Sequence, residues 1–325
     1  MFSNKDIEMR SIFVINCIKD RNLRVSNGEL LLEEIEESAH NKILTKMPFQ
    51  KLLALFIVGH IHITTPLIEK CKKFGVALIV VKPNWRPVFY WSDSAEANYL
   101  LRIKQYKFDA DDISLARNII TNKICNQKIL LDKTRRKDIL TLNAINCCIR
   151  CLELINTTAN YKELLGIEGL VAKQFFCAYF QDYNWKARLP RTKCDYINTI
   201  LDIGYSILFN YVECFLRMFG FDLYRGIFHR QWFKRKSLVC DIMEPFRCII
   251  DNATRAALNR NQFTEKDFNF SKGEFLLKHE RSSYYTKVFF DELIYYKNSI
   301  FMYVRNYYRC FMRESVPENY PKFEI

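Results

Sequence analysis

The chain has 325 residues, 49% of them hydrophobic, with only 9 glycines and 8 prolines, and this composition excludes an intrinsically disordered protein. Its length predicts two domains. The 49 lysines and arginines outnumber the 36 aspartates and glutamates, and the net charge of +13 favours a polyanionic partner, a nucleic acid before an anionic membrane. A basic enzyme without such a partner stays open on charge alone.

The N-terminal segment and the cysteines indicate a reduced, cytoplasmic compartment. The first residues, MFSNKDIEMRS, are polar and carry no signal peptide. The 12 cysteines include one C-x-x-C pair, Cys148 and Cys151, without a second pair at zinc-finger spacing, so buried thiols are predicted. No membrane span is expected, because even the apolar run 196–224 carries charged side chains.

Residues 10 to 90 are predicted to form mainly strands. The runs RSIFVIN, NLRVSN, ELLLEEI, LALFIVG and VALIVV are short, rich in β-branched residues and separated by polar or Gly/Asn turns. A helix is expected at Thr65 and Pro66, with the threonine as N-cap. His60 and His62 would share one face of a strand, and a structural role is favoured because no third metal ligand is near.

After Trp91 the apolar residues follow a helical period that continues to about Met312. One helix is AEANYLLRIKQYKFD, Asp111 or Asp112 caps the next, and ILTLNAINCCIRCLELIN forms another. The segment 165–169, LGIEG, is predicted to be a turn that opens a further helix. We therefore predict an α+β protein with a small β-rich N-terminal domain, residues 1–91, and a larger all-α-helical C-terminal domain, residues 92–325.

Two basic segments are candidates for phosphate contacts. The cluster at 133–137 fits a solvated helix end equally well. Arg188, Arg191 and Lys193 stand on a loop before a helix that Asp195 is expected to cap, where their side chains can reach a DNA backbone.

The C-terminal region, from about Phe275 to Met312, is rich in tyrosine and phenylalanine. Such rings can stack on bases, but a stripe at helical spacing is more often core, and we favour core. The final segment, SVPENYPKFEI, is expected to be mobile.

The candidate site combines Glu168, in GIEGL, with the segment 221–247. His229 precedes Asp241 by twelve residues, and Glu244 follows three residues later, so on a helix the two acids would share a face. One imidazole with carboxylates from separate elements is typical of an oxygen-preferring divalent cation. Between Asp222 and Asp241 the charged residues are all cationic: Arg225, Arg230, Lys234, Arg235 and Lys236. A metal ion beside such positive charge suits an enzyme that acts on phosphodiesters.

Each candidate ligand also has an ordinary explanation when taken alone. His229 would then be structural, Glu168 a first-turn acid favoured by the helix dipole, and Asp241 with Glu244 a solvated face. The joint pattern favours the metal site.

Several of these stretches, in this order, resemble the family of CRISPR-associated adaptation integrases. They are MPFQKLLALFIVGHIHITTPLIEKCKKFGVALIVV, NYLLRIKQY, NKICNQ with Lys123, Asn126 and Gln127, GIEG, LPRTKCDYINTILDIGYSIL with Pro190, Asp195, Asn198 and Tyr205, and GIFHRQWFKRKSLVCDIMEPFRCIID. The likeness covers roughly residues 45 to 251. The loop RQWFKRK is more basic and aromatic than the family pattern, and Cys240 and Cys248 stand where other residues are common.

The resemblance implies that Glu168, His229 and Glu244 bind Mg²⁺ or Mn²⁺, while Asp241 orients the site or serves as an additional ligand. It implies that a 3′-hydroxyl of a short DNA duplex, the prespacer, attacks a phosphodiester at the edge of a CRISPR repeat. It also implies a homodimer formed through the β domain, with two dimers flanking a dimer of a small ferredoxin-like partner in a four-plus-two complex. The cationic residues expected to contact DNA are Arg188, Arg191, Lys193, Arg230, Lys234, Arg235 and Lys236.

Two other functions stay open at this point. One is a non-catalytic DNA-binding scaffold, against which the intact set of acids and histidine argues. The other is a general metal-dependent nuclease, because water and a DNA hydroxyl can use the same metal ion.

Overall fold

The computed structural model of the chain describes residues 3–17, 21–35, 42–92, 97–109, 111–135, 137–183 and 185–325. Within these ranges a strand-rich N-terminal part precedes a helical part, which confirms the α+β fold class. The boundary at residues 91 and 92 stays a prediction.

A four-stranded sheet and a three-stranded sheet form the strand-rich part. The first has the order β1 (Ser11–Cys17), β5 (Leu52–Gly59), β6 (Ala77–Val81) and β7 (Pro87–Trp91). Its first three strands are parallel and β7 is antiparallel. The second is the antiparallel meander of β2 (Arg21–Ser26), β3 (Glu29–Glu34) and β4 (Lys42–Pro48). Two short elements complete this part: α1 (Asn4–Met9) and the crossover helix α2 (Thr65–Phe74).

The four-stranded sheet is covered on both faces, which explains the nearly continuous apolar sequence of β5. On one face Leu55 and Ile57 pack with the meander. On the other, the ring of Phe56 contacts those of Tyr211 and Phe290 from the helical part. One hydrophobic core therefore extends from this sheet into the helices and fixes their relative position.

Several predictions for this part need correction. The predicted runs do not include α1, β4 or β7, and β7 starts at a proline, which is tolerated as the first residue of an edge strand. β5 ends at Gly59, so the exposed His60 and His62 follow the strand instead of sharing its face. α2 begins at Thr65 as expected, but Thr64 holds the N-cap position and makes no capping hydrogen bond through its side chain.

The helical part surrounds one long central helix, α7 (Tyr196–Phe219). The others are α3 (Tyr99–Lys107), α4 (Ser114–Asp132), α5 (Ile139–Ile155), α6 (Tyr161–Tyr179), α8 (Ser237–Met243), α9 (Arg247–Asn259), α10 (His279–Tyr295) and α11 (Lys297–Arg313). This part is not all helical: β8 (Phe268–Ser271) and β9 (Glu274–Leu277) form a hairpin. Lys272 and Gly273 join them with positive φ angles of 53° and 81°, as a two-residue hairpin turn requires.

Asp195 caps α7 as predicted, because its side chain accepts a hydrogen bond from the backbone N–H of Asn198 at 2.6 Å. Among the described residues, α7 is the helix long and apolar enough to cross a membrane, but 78% of its apolar window is buried inside the protein. This burial is typical of a core helix. The 12 cysteines are free thiols, of which six are buried, five are half-buried and Cys194 is exposed, so the prediction of buried thiols holds for half of them.

The prediction that 165–169 forms a turn is wrong. α6 begins after Asn160, whose side chain accepts hydrogen bonds from the backbone N–H groups of Lys162 and Glu163. The helix continues through both glycines because its Leu164, Val171 and Phe175 are buried in the core. Packing of this face outweighs the low helix propensity of glycine, about 1 kcal/mol per residue.

The predicted mobile tail is also contradicted, because its last residues dock against α4. Asn122 donates a hydrogen bond to the carbonyl oxygen of Phe323 at 2.7 Å and accepts one from its N–H at 2.9 Å. The Phe323 ring packs against those of Phe246 and Tyr296. The aromatic residues of α10 and α11 mostly lie in the core, as favoured above.

Candidate active site

The predicted metal ligands line one cavity of about 1150 Å³, whose wall comes mainly from the helical part and also from residues 84–87. Glu168 comes from the middle of α6, His229 from the loop after α7, and Glu244 from the single 3₁₀ turn between α8 and α9. Three side chains that are distant in sequence thus face the same space. Asp241 does not line it, and the helical face that Asp241 and Glu244 were expected to share is lost where α8 ends at Met243.

Lys123 of α4 joins the two glutamates. Its Nζ lies 2.7 Å from Oε2 of Glu244 and also binds Oε1 of Glu168. Burial lowers the pKa of this ammonium, but attraction to Glu244 and Glu168 outweighs burial and raises the pKa above its usual 10.5. The lysine is therefore charged and holds the two carboxylates within reach of a single cation.

Glu244 is ionised despite being only 3% exposed. Burial raises the pKa of its carboxyl group, but the charges of Arg247 and Lys123 lower it to about 2. Arg247 Nε approaches Glu244 Oε2 at 2.9 Å. This arrangement keeps a negative charge on the cavity wall at any physiological pH.

His229 is held by Asp241, which is fully buried. Oδ1 of Asp241 lies 2.6 Å from Nδ1 of His229 and accepts the backbone N–H of the same residue at 2.8 Å. Oδ2 accepts the N–H groups of Ile227 and Phe228. With Nδ1 engaged, Nε2 is the ring nitrogen left for a ligand, so Asp241 is a positioning residue.

Gly226 allows this loop to close over Asp241. A Cβ at residue 226 would lie 2.8 Å from Asp241 Oδ2 and 2.6 Å from the Cβ of Ser237, closer than side chains tolerate. The space above the aspartate therefore admits only glycine.

The donor set suits a hard divalent cation, since two carboxylates and one imidazole nitrogen are ligands that Mg²⁺ and Mn²⁺ accept. Oε2 of Glu244 is buried, and its contacts among the described residues are the cationic nitrogens of Lys123 and Arg247, at 2.7 and 2.9 Å. Within the same ranges, no three His, Cys, Asp or Glu side chains already stand close enough to hold an ion. Lys123 stands between the glutamates, so the fit requires its ammonium to move aside.

The family model described as CRISPR associated protein Cas1 matches residues 18–290 of the chain. The chain belongs to the Cas1 family. It is 26% identical over 295 residues to the CRISPR-associated endonuclease Cas1 1 of Thermodesulfovibrio yellowstonii, covering 85% of this chain and 89% of that protein. It is 29% identical over 257 residues to the CRISPR-associated endonuclease Cas1 1 of Francisella tularensis subsp. novicida, covering 76% and 78% of the two chains.

Solved structures share the Cas1 fold. A Cas1 protein from Thermotoga maritima matches with a TM-score of 0.75 at 19% identity, covering 96% of this chain and 100% of that one. A casposase bound to integration product matches with a TM-score of 0.77 at 19% identity, over 97% and 94%. A Cas6-RT-Cas1–Cas2 complex contains a chain that matches with a TM-score of 0.77 at 18% identity, covering 97% of this chain and 36% of that one.

The predicted DNA-contacting cations of this Cas1 chain fall into two groups. Lys236 binds both carboxylate oxygens of the buried Glu213, at 2.6 and 2.7 Å, and Arg188 pairs with Asp202, so these two stabilise the fold. The other five are more exposed: Arg191 and Lys193 line the cavity, and Arg230, Lys234 and Arg235 stand in the loop after His229. Lys193 also pairs with Glu274 at 3.0 Å.

The basic cluster at 133–137 is a helix end in this structure, apart from Arg136, which lies outside the described residues. Nζ of Lys137 donates to the carbonyl oxygens of Leu131, Asp132 and Thr134, and that of Lys133 to Ile325. Lys137 thus covers carbonyl groups at the end of α4, and Lys133 binds the last residue of the chain.

Sequence reasoning named Arg188 and Tyr205 but missed Arg247 and Asp251, which line the same cavity beside them. The Tyr205 ring lies between the guanidinium groups of Arg188 and Arg247, 5.3 and 4.7 Å from its centroid. Its hydroxyl donates a hydrogen bond to Asp251. Burial raises the pKa of Asp251 to about 7, against the opposing effects of Tyr205 and Arg247. Arg247 and Asp251 follow Glu244 at helical spacing, a signal that could have located them.

Proposed function

We propose that the chain is a metal-dependent DNA endonuclease and integrase that inserts new spacer DNA into a CRISPR array. The observation that carries the proposal is the convergence of Glu168, His229 and Glu244 on one cavity beside the exposed cations of two loops. The endonuclease names of the relatives and the casposase fold agree with it.

In the proposed reaction a 3′-hydroxyl of the incoming DNA forms a bond to a phosphorus of the repeat, and the bond from that phosphorus to another 3′-oxygen breaks. Mg²⁺ or Mn²⁺, held by the two glutamates and His229, would polarise the phosphate and offset its developing charge. Asp241 fixes the imidazole ring, and Arg247 and Lys123 keep the Glu244 carboxylate ionised. The exposed cations position duplex DNA through its phosphates without reading its sequence.

We further propose a homodimer formed through the β domain, and a four-plus-two complex with a small ferredoxin-like partner. Support comes from the likeness of this chain to the Cas1 portion of structures described as Cas1–Cas2 complexes. Multi-angle light scattering of the chain alone and with its partner tests both assemblies.

Glu168→Ala tests the proposal directly. We expect duplex binding to persist while strand transfer falls at least about 100-fold, because a cation bound more weakly stabilises less developing charge. Glu153→Ala, an exposed glutamate on α5, is the matched control and should behave as wild type. Unchanged strand transfer in Glu168→Ala would refute the assignment.

The nature of the product separates an integrase from a general nuclease. Labelled duplex is incubated with a plasmid that carries the CRISPR repeat, with Mn²⁺ or Mg²⁺ present. A joined product supports the integrase, fragments alone indicate a nuclease, and DNA binding without either indicates the scaffold.

A further inference from the structure

The NKICNQ segment of α4 divides its polar side chains between two sides of the helix. Asn122 and Asn126, one turn apart, hold the tail: both donate to the carbonyl oxygen of Phe323, and Asn126 accepts the N–H of Ile325 at 3.2 Å. Lys123 and Gln127, also one turn apart, line the cavity. The asparagines and the lysine have partners, which leaves the glutamine to be explained.

Gln127 is buried, with 4% of its surface exposed, yet its Oε1 has no hydrogen-bond partner among the described residues. Leaving a buried amide oxygen unpaired is destabilising, and such groups are uncommon in folded proteins. The Gln127 side chain borders the cavity that holds Glu168, His229 and Glu244, and a turn of the amide about its last side-chain bond would bring the buried Oε1 to that cavity. Its position indicates that the missing partner is supplied by the substrate.

We propose that Gln127 is a further catalytic residue, whose side-chain oxygen accepts a hydrogen bond from the attacking hydroxyl and orients it toward the phosphodiester. This inference rests on the function proposed above. Phosphate oxygens can only accept hydrogen bonds, so the hydroxyl is the reacting group able to donate to Oε1. Lys123, a donor one turn earlier on α4, is the group suited to the phosphate oxygens.

In this transfer step, the bond that forms replaces one that breaks, and each proton has a donor and an acceptor. The attacking 3′-oxygen bonds to phosphorus as the bond to the leaving 3′-oxygen breaks. The attacking hydroxyl gives its proton to solvent, and the leaving oxygen takes one up. Gln127 neither gains nor loses a proton, and it acts by fixing the direction of attack, as an amide does when it orients a nucleophilic water in other phosphoryl transfers.

Gln127→Met tests the proposal, because methionine has a similar shape and no strong hydrogen-bonding group. The full-length protein is assayed with duplexes that end in a 3′-hydroxyl or a 3′-deoxy nucleotide. We expect wild type to bind the hydroxyl form about fivefold more tightly, and Gln127→Met to bind both equally. Strand transfer should fall about 10- to 100-fold in kcat, with little change in the affinity for 3′-deoxy DNA.

Thermal unfolding separates this role from a structural one. Since the variant removes an unpaired buried oxygen, its melting temperature should equal or exceed that of wild type. A lower melting temperature, or discrimination between the two DNA ends that survives the change, would overturn the assignment. If Glu168→Ala abolishes strand transfer while Gln127→Met does not, this inference fails and the proposed function stands.

Discussion

Nζ of Lys123 lies 2.7 Å from Oε2 of Glu244, where it neutralises a carboxylate that also faces the cavity. The same ammonium binds Glu168, so the protein itself provides a cation between two predicted metal ligands. A divalent ion and the lysine would compete for these oxygens. Metal affinity and the stability of the metal-free protein are therefore linked through one side chain.

Lys123→Met should destabilise the metal-free protein by about 3 kcal/mol, because removing one partner leaves buried charge uncompensated. Mn²⁺ should then stabilise the variant more than it stabilises wild type, since the ion no longer competes with the ammonium. Chemical denaturation in EDTA and in Mn²⁺ measures both effects. Lys128→Met, on the more exposed side of α4, is the control, and equal Mn²⁺ stabilisation of all three proteins would contradict the linkage.

Asp241→Asn should weaken Mn²⁺ binding about 10- to 100-fold, because the carboxylate that orients His229 through Nδ1 is lost. The variant should also be less stable, since the carboxylate accepts three backbone N–H groups of the loop. Isothermal titration with Mn²⁺ checks the affinity, with Asp132→Asn on the surface as control. Affinity equal to wild type would show that the ring is held by other contacts.

Asp251 gives the free energy of unfolding a pH dependence of known sign. Burial raises the pKa of this carboxyl from 3.8 to about 7, so the folded protein holds a proton that the unfolded chain releases. Below pH 4 the protonated Asp251 contributes its full stabilisation, and this contribution is lost as the pH rises through 7. The free energy of unfolding falls by at most about 4 kcal/mol as a result. In EDTA, wild type should lose more stability between pH 5 and 7.5 than Asp251→Asn does. Equal losses would show that Asp251 titrates normally.

Phe323→Ala should destabilise the protein by about 3 kcal/mol, because its buried ring packs on Phe246, two residues after Glu244. Strand transfer should fall as well, since the turn that carries Glu244 loses this support. Urea denaturation and the strand-transfer assay measure the two effects. Lys322→Ala is the neighbouring control, and normal activity in Phe323→Ala would limit the tail to stability alone.

The loop after His229 should bind DNA through both charge and stacking. Trp232 and Phe233 are 77% and 83% exposed, and Lys234 and Arg235 follow them. Replacing both cations with alanine should reduce the slope of log affinity against log salt by about 2. Replacing both aromatics should weaken binding to unpaired ends, about 10-fold or more, without changing that slope. A salt slope that changes when the aromatics are replaced, or that stays unchanged when the cations are replaced, would contradict these separate roles of charge and stacking.

Local signals in the sequence were enough for much of the fold. Short β-branched-rich runs between turns located five of the nine described strands, the apolar period located most helices, and Asp195 was recognised as a helix cap. The same signals failed where tertiary packing determines the conformation of a segment. The glycines of 165–169 lie inside a helix because its apolar face is buried, and the tail is ordered because two asparagines on α4, about 200 residues away in sequence, bind its backbone.

By itself the sequence determined the family, the α+β class and the three candidate metal ligands, because these depend on residue types and spacings that the chain carries along its length. Only the tertiary structure decided the partners of those ligands. Lys123 lies between the two glutamates, Asp241 binds His229 from behind, and Gln127 lines the cavity while its oxygen is buried and unpaired. These contacts join elements that are far apart in sequence, and the burial that sets their strength exists only after α4, α6, α8 and α9 have packed.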